Sequence, residues 1–178
     1  MSTVKVKNEV DEALLNETIN GLTGHLSENP GDAEASFSAR SSLQDGFQTT
    51  VNIRDFEFAS DEPEQLGGTD TGPNPVEYVL GALAACQEIV VKTHAALLDI
   101  TVNAVEVEVK GDLDLQGFLN ISEQRAGFTS VSFETTIDTD EQDSDKLRKL
   151  KELTLERCPV LDIIQNPVPV EGKVSYIS

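Results

Sequence analysis

The apolar positions along the chain change their period several times, and each change marks an element. Between Asn8 and Leu26 the residues Val10, Leu14, Leu15, Ile19, Leu22 and Leu26 recur at helical spacing with acids between them. That pattern predicts a peripheral amphipathic helix, ended by Asn29-Pro30-Gly31. Ala35, Phe37 and Ala39 then alternate with Ser36, Ser38 and Arg40, as in a strand. Asp45-Gly46 is a hairpin signal and Phe47 to Phe58 reads as the return strand, which places Arg40 and Arg54 on strands of an early sheet. Asp61 to Pro75 is a loop rich in Gly, Pro and acids.

The next pattern is apolar or small in almost every direction around a helix, from Val76 to Leu98. Asn74 is its N-cap, Pro75 fits its first turn, and Glu77 stands where a capping-box acid reaches back. A helix of that kind is buried on all sides, and Gly81, Ala82, Ala84 and Ala85 let a second backbone approach closely. One domain of this size does not enclose such a helix alone, so the pattern implies a homodimer. Val102 to Val109 alternates as a strand, Gly111 to Gly127 is a polar connection, and Phe128 to Ile137 alternates again. Ser144 is placed to cap a helix carrying Leu147, Leu150, Leu153 and Leu155. Cys158-Pro159 interrupts it and restarts a short helix through Ile164. Pro167 and Pro169 enforce an extended stretch, and Gly172 to Ile177 reads as a closing strand. The class is α+β, in one domain, without an internal repeat.

Charge narrows the partners. Thirteen Lys and Arg against 32 Asp and Glu leave a net charge of −19, a field that repels nucleic acid and anionic membrane. High solubility or a saline environment accounts for it without a dedicated cationic partner. No apolar run reaches the roughly 18–20 residues that span a bilayer, and the opening MSTVKVKNEVDEALL has no signal-peptide core. The expected location is the cytoplasm, where two cysteines are reduced at rest and serve transient chemistry rather than stapling. The Gly-rich loop lacks a P-loop lysine and a GxGxxG, and its carboxylates repel phosphate.

Cys86 and Cys158 are the only cysteines, so only the fold can bring them together. Cys158 gains thiolate stabilisation from a helix N-terminus; Cys86, mid-helix, needs a cation from another element. Arg40 and Arg54 are candidates for that cation, while Arg125 falls in the polar connection and Arg157 beside Cys158. On local sequence alone core packing is the more natural reading of Cys86, and Cys158 is equally natural as a cysteine that merely accepts an N-cap position. Glu77 lies about 180° around the helix from Cys86 and about 13.5 Å along it, which makes it a cap. His94 is about 12 Å beyond Cys86 on the apolar stripe, where a core histidine is the default. His25 falls in a loop-like region, and no metal-ligand spacing is present.

Taken in order, LGGTDTGPNPVEYVLGALAAC, GDLDLQGFL and CPV resemble the OsmC/Ohr family, the osmotically inducible and organic-hydroperoxide-resistance proteins. The likeness covers roughly Ser36 to Ser178, and divides the chain into an N-terminal helical extension, 1–31, and an OsmC-like domain, 32–178. It implies an intertwined homodimer with a central buried cysteine-bearing helix against antiparallel sheet, and two active sites near the subunit interface. It implies thiol-dependent reduction of organic hydroperoxides, in which Cys86 becomes a sulfenic acid and Cys158 resolves it to a disulfide. No bound cofactor is expected; an external dithiol such as dihydrolipoamide, or a low-molecular-weight thiol, restores the pair. The family's thiolate-stabilising arginine comes from an early strand, where Arg40 fits best and Arg54 second. In the peroxidase branches an acid follows the Asn-Pro and holds that arginine; here Val76 takes its place and the acid has moved to Glu77. The chain thus looks like the OsmC-like branch. Its alternative role is a redox sensor or small-molecule-binding dimer with little turnover.

Overall fold

Residues 11–177 are described by a computed structural model. Helix α1 (Glu12–Glu28) begins where the Asp11 carboxylate accepts the Ala13 and Leu14 N–H groups. The part of the expected helix before Asp11 lies outside the described residues. Half-buried Leu15, Ile19 and Leu26 face inward, Leu14 and Leu22 stay exposed, and Glu12 pairs with Lys92 at 2.9 Å.

Strands β1 (Arg40–Leu43), β2 (Thr49–Ile53) and β3 (Phe56–Ser60) form an antiparallel meander. The expected single return strand is two strands, because Arg54 adopts a left-handed φ of 55° and turns the chain with Asp55. Arg54 therefore sits in a turn rather than on a strand, its guanidinium 5.0 Å over the Phe56 ring. The alternation of Ala35 to Ala39 forms no strand, since pairing starts only at Arg40, opposite Asn52. The meander makes no extended contact with the helices. It is tied to them at its end, where Tyr78 packs on Phe58 at 5.0 Å and donates to the Ala59 carbonyl.

Helix α2 (Pro75–Leu98) starts as the sequence predicts. Asn74 Oδ1 accepts the Glu77 N–H at 2.9 Å and Glu77 Oε2 accepts the Asn74 N–H at 2.8 Å, a complete capping box. It is not buried all round: Gly81, Ala82, Ala85 and Ile89 lie exposed along one side. Strands β4 (Val102–Leu113) and β5 (Phe128–Thr139) form a long antiparallel pair, linked by a stretch containing a one-turn helix α3 (Leu115–Phe118). The expected polar connection is thus shorter than Gly111–Gly127, because β4 runs on to Leu113. Helix α4 (Ser144–Glu156) is capped by Asp143, whose carboxylate accepts the Asp145 and Lys146 N–H groups, with Ser144 as its first residue. Helix α5 (Pro159–Gln165) follows at once. Residues 172–177 are exposed and pair with no strand among the described residues, so the expected closing strand is absent there.

The core lies between α2, α4, α5 and the β4–β5 pair. One apolar cluster joins Val91, Ala95, Ile100, Val102 and Leu150, flanked by Val105 and Ile137. The other joins Leu83, Val90, Cys158 and Leu161, flanked by Cys86, Val109, Val131 and Phe133. Among the described residues no helix is long and apolar enough to cross a membrane.

Candidate active site

The two cysteines meet because α4 runs antiparallel to α2. Lys146 Nζ donates to the Asp99 carbonyl at one end, and Cys158 reaches the level of Leu83 and Cys86 at the other. Both are free thiols; Cys158 is 1% exposed and Cys86 is half-buried on the rim of α2's open side. Pro159 at the first position of α5 has no N–H to lose. The next two donors serve sulfur. The Leu161 N–H donates to Cys158 Sγ at 3.4 Å, making Cys158 the N-cap, and the Val160 N–H acts on Cys86.

Burial pushes the Cys86 thiol up from its ordinary value. The Val160 N–H works against this by favouring the thiolate, and the neighbouring Cys158 thiol adds to the rise. No guanidinium of the same chain is among the groups that act on Cys86. Arg40 stands exposed on β1 and Arg54 exposed in the β2–β3 turn. Within one chain the fold thus joins Cys86 with Cys158 and leaves both arginines elsewhere. Cys86 alone is a protonated thiol at neutral pH, which is a poor nucleophile.

Val76 is half-buried in an apolar cavity of about 150 Å³, walled by Leu66, Leu113, Leu115 and Phe118. Glu77 is fully used as a cap, as expected. His94 is half-buried, its imidazolium disfavoured first by burial and then by Arg157. His25 lies in the last turn of α1 rather than in a loop, with Nε2 2.8 Å from Asp32 Oδ2. Among the described residues no three His, Cys, Asp or Glu side chains converge as metal ligands.

The loop leading into α2 is organised by a residue that the sequence did not single out. Asp61, 1% exposed, accepts the Thr69 and Thr71 hydroxyls, their N–H groups and the Glu62 N–H, between 2.7 and 3.2 Å. The Thr69 hydroxyl is the main reason the carboxyl titrates far below the usual range, and the backbone donors add to it against an opposing effect of burial. A depressed folded-state pKa gives stability that is present above the unfolded value near 3.8 and lost as pH falls further. The loop should therefore loosen below about pH 4. Amide exchange at Thr69 and Thr71 measured against pH tests this, and protection unchanged down to acid pH would refute it.

A family model described as OsmC-like protein matches residues 68–173. The chain belongs to the OsmC-like protein family. Solved structures agree on the fold. An OsmC-like protein from Mycoplasma pneumoniae superimposes with a TM-score of 0.63 at 18% identity, over 75% of this chain and 90% of that one. An organic hydroperoxide resistance protein OsmC from Legionella pneumophila gives 0.55 at 19% identity, over 75% and 91%. An organic hydroperoxide resistance protein from Elizabethkingia anophelis gives 0.55 at 17% identity, over 76% and 91%. Among curated proteins nothing matches.

Proposed function

We propose that the chain is a thiol-dependent reductase of organic hydroperoxides. One observation carries the reading: Cys86 and Cys158, distant in sequence, share one apolar cluster around the start of α5. The Cys86 thiolate attacks the distal peroxide oxygen, the O–O bond breaks, and the alcohol leaves with a proton. The Cys86 sulfenic acid then condenses with the Cys158 thiol, forming the disulfide and releasing water. An external dithiol, dihydrolipoamide by class, restores both thiols and leaves as its own disulfide. The apolar surroundings favour organic over very polar peroxides, and the reduced resting state suits the cytoplasm.

The cation that Cys86 needs comes, in this reading, from a second copy of the chain. Three features support a homodimer: the detached meander, the unpaired tail with Tyr176 95% exposed, and the open side of α2 with Ile89 65% exposed. Docking that side of α2 on its counterpart covers Cys86 and brings Arg40 across the interface. Arg40→Ala should lower the peroxide rate constant about 10²–10³-fold, with Arg54→Ala near wild type. Co-refolding Cys86→Ser with Arg40→Ala should restore activity in mixed dimers, each holding one intact site. Failure of that rescue would remove the trans arginine.

Intact mass tests the cycle itself. One equivalent of cumene hydroperoxide without reductant should remove the two thiol hydrogens, while Cys158→Ser should instead gain one oxygen. An unchanged mass would favour a second reading, motivated by Val76 in its mostly apolar cavity, of a small-molecule-binding dimer with little turnover.

A further inference from the structure

Strand β5 carries an irregularity near its start. Asp112 pairs with Ser130 and the next residue, Leu113, with Phe128, so Thr129 is left without a partner as a bulge. A bulge interrupts the alternation of a strand and re-aims its side chains. Thr129 and Ser130, neighbours in sequence, accordingly both turn to Asp112. The Thr129 hydroxyl donates to the Asp112 carbonyl at 3.1 Å, and the Ser130 hydroxyl donates to Asp112 Oδ2 at 2.6 Å. A hydroxyl has one proton to give, so what these two oxygens still offer is lone pairs.

Both line a cavity of about 350 Å³ between the start of β5 and α5, together with Arg125, Phe128, Val131 and Ile164. That volume falls within the range of small-molecule sites. Arg125 folds back over the first residues of β5, with Nη2 3.6 Å from where a Cβ on Gly127 would stand. Among the described residues its guanidinium makes no ion pair. In a chain with 32 acids and 13 basic side chains, that leaves a cation without a carboxylate on a concave surface. The cavity thus joins three unlike parts: a guanidinium, two hydroxyl oxygens that can only accept, and an apolar floor of Phe128, Val131 and Ile164.

We propose that this cavity binds a small zwitterion with an apolar side chain, of the chemical class of an α-amino acid. Its carboxylate pairs with the Arg125 guanidinium. Its ammonium donates to the Thr129 and Ser130 oxygens, which their bonds to Asp112 make better acceptors. Its side chain lies on Phe128, Val131 and Ile164. A plain carboxylate fits less well, because the chain's net charge of −19 repels every anion and the hydroxyls have no proton left for it. A plain amine leaves Arg125 unmatched. A zwitterion is neutral as a whole, so the field does not oppose its approach. Val131 and Ile164 also pack against the apolar cluster that holds Cys158, so the ligand rests on the wall of the thiol site. Binding needs no turnover and goes beyond the reductase reading.

The test is a titration of the reduced, methyl-labelled protein with three probes, followed by NMR: leucine, leucinamide without the carboxylate, and N-acetyl-leucine without the ammonium. Leucine should give saturable shifts at the Thr129, Val131 and Ile164 methyls. Each of the other two should bind about tenfold more weakly or worse. Arg125→Gln should weaken leucine by a similar factor and leave leucinamide unchanged, while Ser130→Ala should weaken both leucine and leucinamide. The proposal is overturned if the three probes bind alike, or if Arg125→Gln binds leucine as the wild type does. It also falls if no shift saturates, as when a second copy fills the cavity, or if shifts are confined to Val79 and Ile89. Leucine binding by a protein that consumes no peroxide would keep this site and sink only the reductase reading.

Discussion

Cys86→Ser is expected to abolish hydroperoxide consumption, a loss of at least about a thousand-fold, with little change in thermal stability. Serine is smaller than cysteine and fits the same space, and within its own chain Cys86 is half-buried rather than sealed in the core. What disappears is the atom that attacks the peroxide, so no amount of dithiol compensates. Cys158→Ser should behave differently. Without reductant it should still consume one equivalent of cumene hydroperoxide per subunit, because attack precedes resolution, and then stop. Peroxide remaining after a timed exposure distinguishes the two variants. A Cys86→Ser protein that consumes peroxide as the wild type does would end the reductase reading outright.

The largest stability effect is expected at Gly68. A Cβ there would stand 1.7 Å from the Glu62 carbonyl oxygen and 2.8 Å from the Glu62 Cα, so the obstruction is backbone and cannot rotate aside. The backbone itself is pinned: Gly68 N donates to the Pro63 carbonyl, Asp70 N donates to the Glu62 carbonyl, and Asp61 holds both flanking threonines. Gly68→Ala should therefore cost about 3 kcal/mol, a fall of roughly 6–12 °C in Tm. Gly21→Ala is the control, because nothing lies within 4 Å of its added Cβ on α1; there alanine should be neutral or stabilising by about 0.5–1 kcal/mol. Equal melting temperatures for the two variants would mean that the loop yields more easily than its hydrogen bonds suggest.

The helices were legible because their signals are local. Asn74, Pro75 and Glu77 specify the start of α2 within four residues, and the structure realises every bond they imply. Cys158-Pro159 marks the α4–α5 break for the same reason. Strands were read less well, since alternation shows a capacity to pair and not a partner. Ala35 to Ala39 and Gly172 to Ile177 alternate yet pair with nothing among the described residues, and the Arg54 turn lacks a glycine to announce it. Of the site, the meeting of Cys86 and Cys158 came from resemblance rather than spacing. The Val160 N–H carries no side-chain signature. Asp61 was hidden among other loop acids, and only Thr69 and Thr71 two residues apart hinted at a hydrogen-bonding hub.

Among the described residues both sheets end in open edges, and an open edge accepts any exposed strand that reaches it. The chain carries 32 carboxylates against 13 basic side chains, so two copies repel before their edges can touch. Salt shortens that repulsion to about 8 Å at physiological strength, leaving close fit to decide which encounters last. For two copies of the chain this acts as a kinetic filter: loose, out-of-register contacts are driven apart, and only a well-matched surface could outlast the repulsion.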